Sequence, residues 1–360
     1  MNKPNFNHTP PAKLRVTPKS TVVSPTQMGV TAALALGIFM APVQAKTYDW
    51  PLPTTGSVTI DIPRGSLTVL TRDDDKSRIS LDLESVDVAR ESTRVTRKVT
   101  GDLPDETPQW FLTAQGATLK LPEPAAIDFL KVGGVTATLT LPASGKYVIN
   151  GRLVDIEMKG AKSDISVNVV DGNVMAQQAL GGNLSISVMH GGITTRSMKS
   201  NLALKVSSGN ITDQDSEGDI AVDLVSGALT LDSQAKAITI RQITGEQHLN
   251  LPASVTFVND LQTGTSILRL GSALKRGEIE TAQGDITVIV TEAWQGSIVA
   301  DSINAHHLIN QLSSDKPQPS RPPLSDERLE ITRGKADAGQ LKLSTLAGKI
   351  TLQRPVKAGE

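Results

Sequence analysis

Residues 182–238 read, in blocks of nine, GNLSISVMH (182–190), GGITTRSMK (191–199), SNLALKVSS (200–208), GNITDQDSE (209–217), GDIAVDLVS (218–226), GALTLDSQA (227–235) and KAI (236–238). Each block opens on a small or polar residue and puts an aliphatic third: Leu184, Ile193, Leu202, Ile211, Ile220, Leu229 and Ile238. Alternate blocks differ in character, so the true unit is 18 residues. One set holds alternating aliphatics (Leu184-x-Ile186-x-Val188, Leu202-x-Leu204-x-Val206, Ile220-x-Val222-x-Leu224), and the other turns polar after its first. Period-two alternation bounded by glycine is the signature of a strand. A helix is excluded, because no apolar i, i+3, i+4 stripe survives and a glycine recurs in nearly every block.

Two short strands and two turns in 18 residues predict an all-β fold, one coil of a β-solenoid per unit, with coils about 4.8 Å apart. Leu204 is then expected between Ile186 and Val222 in an inward aliphatic column. Such a narrow interior has little room for rings, and from residue 148 onward only Phe257 and Trp294 are aromatic. Turn glycines are expected at positive φ.

The beat extends outward from this stretch. It is present at Ser163-Asp164-Ile165 and Gly172-Asn173-Val174, and returns at Gly284-Asp285-Ile286, Gly296-Ser297-Ile298, Gly339-Gln340-Leu341 and Gly348-Lys349-Ile350. Four prolines in Ser313–Pro323 predict a loop thrown out of one coil, since proline cannot join a central ladder. The last strand, ending at Arg354-Pro355, is expected at the open edge of the stack, with the proline blunting it. Residues 46–150 are strand-like but less regular and contain Tyr48, Trp50, Trp110, Phe111, Phe129 and Tyr147. They are expected to cap the first coil, or else to form a small β domain. The resulting division is a leader at 1–45, a β cap at 46–150 and repeats at 151–356, with the Pro-rich loop at 313–323.

Residues 1–45 carry Lys3, Lys13, Arg15 and Lys19 and no acid, then an apolar run from Met28 to Met40, Pro42, and Val43-Gln44-Ala45. That is the order of a secretory signal, with cleavage expected after Ala45. The run is shorter than the roughly 20 residues a spanning helix needs. The expected address is periplasmic or extracellular. Without the leader's four positive charges the chain carries a net −5 against −1 for the whole. Balanced charge argues against a nucleic-acid partner. Zero cysteines exclude disulfides, thiolate metal sites, a thiol nucleophile and a lipid-anchor cysteine. No transmembrane segment is expected after leader removal.

Ser208-Gly209-Asn210-Ile211, Gly218-Asp219-Ile220, Ser226-Gly227-Ala228-Leu229 and Gly284-Asp285-Ile286, with Thr138-Leu139-Thr140-Leu141-Pro142 before them, resemble a known family. It is the secreted bacterial β-strand-repeat family catalogued as "putative adhesin", a domain of unknown function. The resemblance implies a β-solenoid and no reaction.

Candidate chemistry is sparse. His190 stands where Ser208 and Ser226 stand in later units, so it reads as an exposed turn residue. His306-His307 has no HExxH context and reads as a polar turn. Asp73-Asp74-Asp75 suits a hairpin turn better than calcium, for want of EF-hand or nonapeptide spacing. Asp213, Asp215, Asp223 and Asp232 suggest a sugar-cleaving groove, but glycosidases need two carboxylates at a set separation and these share no column. Thr194, Thr212 and Thr230 form an outward column that reads as β-branched pairing, since Arg196, Gln214 and Asp232 occupy the positions where an ice-binding face needs a second threonine. Arg90, Arg94, Arg97 and Lys98 read as a solvated face. No catalytic, cofactor-binding or metal-ligating residue is assigned, and no cofactor. The expected function is an exported, non-catalytic envelope or surface scaffold contacting a protein or glycan, the alternative being a carbohydrate-active β-helix lyase or hydrolase. Binding is expected at the Pro-rich excursion or around 84–132, because loops on a rigid scaffold carry recognition.

Overall fold

A computed structural model describes residues 46–73, 77–84, 87–88, 99–100, 107–123, 134–303, 307–320 and 326–355. The leader, Asp74, Asp75, the basic stretch Arg90–Lys98, Phe129, His306 and the Pro322-Pro323 end of the loop lie outside them. Among the described residues every regular element is a strand, so the protein is all-β. No helix among them is long and apolar enough to cross a membrane.

Two parallel ladders run through the repeats. In the first, Leu184, Leu202, Ile220 and Ile238 are direct partners in succession, and so are Ile186, Leu204, Val222 and Ile240. In the second, Ile193, Ile211, Leu229 and Gln247 align in the same way. The 18-residue register expected from the sequence is therefore the register observed. Leu204 is buried between Ile186 and Val222. Inward residues of both ladders join one apolar core. Phe257 fills the first inward column, and its partner in the next repeat is Gly277, where Leu341 and Leu274 take the space of a side chain.

Glycine is required where the first ladder turns into the second. Gly191, Gly209, Gly227, Gly245 and Gly264 have φ between 134° and 143°. A Cβ on Gly227 would lie 1.6 Å from the carbonyl oxygen of Gly209 in the preceding repeat, so no side chain fits. The opposite corner uses another device. Gln178, Ser197 and Asp215 adopt φ of 55°, 52° and 55° there, 18 or 19 residues apart.

Asparagine and aspartate tie the corners together. The Asn173 Oδ1 accepts from the Gly192 backbone N–H at 2.9 Å, and the Asn210 Oδ1 from Ala228 at 3.0 Å. At the other corner the Asp164 Oδ1 accepts from the Asn183 N–H at 2.9 Å, and the Asn201 side chain donates to the Asn183 Oδ1 at 3.3 Å. The three bonds from backbone N–H groups satisfy turn amides that the ladder would otherwise leave unpaired, and the Asn201–Asn183 bond joins side chains of successive repeats.

Both ends of the stack depart from chain order. Ser57–Arg72 pairs in parallel with Lys146–Lys159, and the described strands that lie between the two in the chain add on its far side. Gly116–Lys120 and Val135–Pro142 extend the two ladders in parallel. Antiparallel edge strands then finish each: Gln109–Thr113 on one, and Arg78–Glu84 followed by Lys46–Pro51 on the other. Trp50 and Trp110, from the two outermost strands, stack with centroids 5.6 Å apart, and Tyr48 stacks on Trp50 at 5.8 Å. The three stacked rings are buried and belong to the same core as the repeats.

At the other end the expectation fails. The last strand, Ile350–Gln353, is not an edge: it lies between Ile286–Val290 and Leu308–Asn310. Gln340–Ala347 is likewise held between Arg276–Gln283 and Gly296–Ser302. Gly296–Ser302 and Leu308–Asn310 add outside them, with Glu327–Arg333 antiparallel on Gly296–Ser302. The edge is covered by inserted chain, so Pro355 does not blunt it. The described part of the Pro-rich loop is outermost, where Gln318–Pro319 pairs briefly with 327–328. An edge is the one place a proline is tolerated beside a ladder.

Candidate recognition site

The N-terminal cap leaves a pocket of about 540 Å³ beside the first repeats. Three elements build it. Asp61, Ile62 and Pro63 lie in Ser57–Arg72 just before its glycine turn; Asn150, Gly151 and Arg152 lie beside them in Lys146–Lys159. Lys120, at the end of Gly116–Lys120, continues into Leu121, Pro122 and Glu123, and the Leu121 N–H donates to the Asp61 carbonyl at 3.0 Å. The cap strand therefore holds the wall of the pocket against the first repeat.

Its polar groups are ordered by one another. The Asn150 side-chain amide donates to the Asp61 carboxylate at 3.0 Å and accepts from the Asn168 amide at 3.1 Å. Arg152 pairs with Glu123 at 2.5 Å, and both side chains are more than half exposed. An exposed pair of this kind adds at most about 1 kcal/mol of stability, so both groups remain exchangeable toward a ligand. Pro63, Leu121, Pro122 and Val170 add apolar surface. Donors and acceptors of both signs around an apolar floor suit a polar, uncharged ligand such as a sugar, or an extended peptide.

The residues singled out by sequence do not gather. His190 is exposed at the end of its strand, in register with Asp171 and Ser208, as a turn residue should be. His248 lies on the outer face of the second ladder beside Thr230, and the His307 carbonyl accepts from Ile350 at 2.9 Å. Asp73 pairs with Lys162. Thr194, Thr212 and Thr230 align as partners, with Met175 before them and His248 after. Asp223 and Asp232 face solvent from different ladders, and Asp215 sits in a turn.

Asp213 is not in a groove at all; it is fully buried in the core. Its Oδ1 accepts from Thr195 at 2.5 Å and from the Ser216 hydroxyl, while Oδ2 has no partner. Burial pushes its pKa above the usual carboxylate range, against the opposing pull of the Ser216, Thr195 and Ser233 hydroxyls. Among the described residues no three His, Asp or Glu side chains converge as a metal site would need.

Two polar features escaped the sequence reading. Asp61, Asn150 and Asn168 share one outward column, signalled only by the 18-residue spacing of the two asparagines. Inside the core, Gln247 donates to Gln242 at 3.0 Å and to Asn259 at 3.1 Å, bridging the ladders where the aliphatic columns lapse.

Compared with known proteins, the chain matches no family model and no curated protein. A crystal structure titled "putative cell adhesion protein", from Clostridium sporogenes, is similar to it at 7% identity and a TM-score of 0.23, covering 86% of this chain and all of that one. A likeness that low speaks for neither fold nor activity.

Proposed function

We propose that the protein is an exported, non-catalytic β-solenoid scaffold of the cell envelope or cell surface. In this reading the two ladders are the faces of stacked coils, and the pocket beside the N-terminal cap presents itself to a glycan or an extended protein segment. The observation that carries it is where the polar groups stand. Groups of both signs with solvent access stand beside apolar surface at Asp61, Lys120, Glu123, Asn150 and Arg152, whereas Asp213 has its carboxylate committed to the core. Hydrolysis or elimination at a sugar needs two positioned acid–base groups, and such a pair is what an enzyme reading requires.

A screen of the purified protein against soluble polysaccharides tests the reading. Saturable binding without turnover is expected, weakened at least about tenfold when Lys120 and Arg152 are both changed to Ala, as loss of two charged contacts implies. Turnover that survives those changes would support the β-helix lyase or hydrolase instead. Export is tested separately: protein recovered from the envelope should begin at Lys46, and an intact leader on a membrane-bound form would overturn that part. Elemental analysis should find no stoichiometric metal.

A further inference from the structure

We infer that the outer face of the first ladder is a self-complementary surface on which two copies of this chain pack antiparallel about a two-fold axis. The inference rests on strand register alone and is independent of the pocket. Along one outward column the successive residues are Lys205, Asp223, Arg241 and Asp260, all exposed. None of the four makes an ion pair or a side-chain hydrogen bond among the described residues.

The alternation +, −, +, − is antisymmetric about its midpoint, between the repeats of Asp223 and Arg241. A second copy rotated about an axis parallel to the strands at that midpoint puts Asp223 opposite Arg241 and Lys205 opposite Asp260, each pair occurring twice. A slip of one repeat places Asp223 on Asp223 and Lys205 on Arg241. One register is therefore favoured and its neighbours are penalised.

The next outward column, at the glycine corner, obeys the same symmetry. Val225 and Ile243 are 43% and 46% exposed and would face each other across the axis. Ser207 would face Gln262, polar on polar, one repeat further out. Beyond them Met189, 49% exposed, would face Ala282. In the remaining outward column Ala221 would face Thr239 at the axis and Ala203 would face Val258 beyond it, so one partner of each pair is small. A monomer rarely leaves such an apolar row exposed beside unpaired charges.

The area is sufficient. The eight aligned strands from Asp164–Asp171 to Gln340–Ala347 span ~34 Å at about 4.8 Å each, and six strand residues span ~20 Å. That is ~700 Å² per copy, or ~1,400 Å² in all, inside the ~1,200–2,000 Å² of stable interfaces.

Light scattering and sedimentation of the intact protein at low ionic strength should return the mass of two chains. Asp223→Arg alone should weaken dimerisation at least about tenfold, as should Arg241→Asp alone, and combining them should restore it because the opposing charges are then exchanged. Unchanged circular dichroism for each variant confirms that folding is intact. Equimolar mixing of Val225→Cys chains with Ile243→Cys chains should give an intermolecular disulfide on mild oxidation, far faster than either chain alone. A monomer at high micromolar concentration, a dimer indifferent to the single charge swaps, or a double swap that fails to rescue would each overturn the inference.

Discussion

Two alanine substitutions separate the effect of backbone conformation from the effect of stacking. Gly160 and Gly227 both have positive φ, 66° and 142°. A Cβ on Gly160 would meet no atom within 4 Å, whereas one on Gly227 would lie 1.6 Å from the Gly209 carbonyl oxygen. Gly160→Ala therefore has only the left-handed conformation to bear, about 1–2 kcal/mol. Gly227→Ala bears a strained φ, roughly 1–3 kcal/mol, and must also push two repeats apart by more than 1 Å, on the order of half a normal contact. That separation breaks or stretches the Gly209 N–H bond to the Ser226 carbonyl, now 3.0 Å, and its neighbours across the corner. Two weakened ladder bonds at about 1 kcal/mol each bring the total to ~3–5 kcal/mol. Urea denaturation followed by far-ultraviolet circular dichroism reads both variants against the parent. The Gly227→Ala midpoint should fall well below that of Gly160→Ala. Equal shifts would mean that the repeats do not stack at this distance, and the reasoning fails.

Three further outcomes are expected. Leu204→Asp places an unpaired charge among buried aliphatics and should destabilise by several kcal/mol, while Thr230→Asp, exposed on the outer face of the second ladder, should stay within about 0.5 kcal/mol; equal losses in a denaturation series would mean the alternation is misread. Because Asp213 has its pKa raised by burial, its stabilising neutral form is fully present below the ordinary carboxylate value, and that contribution is lost as pH rises through the raised folded value. Asp213→Asn should thus gain on the parent between pH 4 and pH 7 in urea titrations, and a gap that narrows would refute the buried charge. Trp110→Ala removes a ring stacked on Trp50 and should cost about 3–5 kcal/mol. Its hydrogen-exchange signature should be local, with faster exchange in Ser57–Arg72 and none in Ile286–Val290, since each repeat contacts only its neighbours.

Much of this architecture was legible in the sequence because it is written in spacing. An 18-residue period fixes which residues are partners, and period-two alternation fixes which face inward, so Ile186, Leu204 and Val222 could be stacked by counting alone. The glycine column was legible for the same reason: a residue type with one conformational use recurred at one phase. Counting stops working where a residue breaks its column. Asp213 and Gln247 stand at inward positions, yet their chemistry reads as outward, and only the packing of Thr195, Ser216, Gln242 and Asn259 around them shows how they are satisfied.

What the sequence by itself determined, then, is the strand content and the register of the repeats. What only the tertiary structure decided is the order at the ends and the position of the pocket. Nothing in Gln340–Ala347 or Ile350–Gln353 distinguishes an edge strand from an inserted one, because both present the same alternation to a parallel neighbour. The difference lies in Gly296–Ser302 and Leu308–Asn310, which precede Gln340–Ala347 and Ile350–Gln353 in the chain yet pair on their outer side, and in Glu327–Arg333, which returns antiparallel on Gly296–Ser302. The pocket arises in the same way, from Lys120–Glu123 meeting Asn150–Arg152 across the cap. Local propensity carries no information about such a return, since the free energy that selects it comes from closing the exposed end of the core.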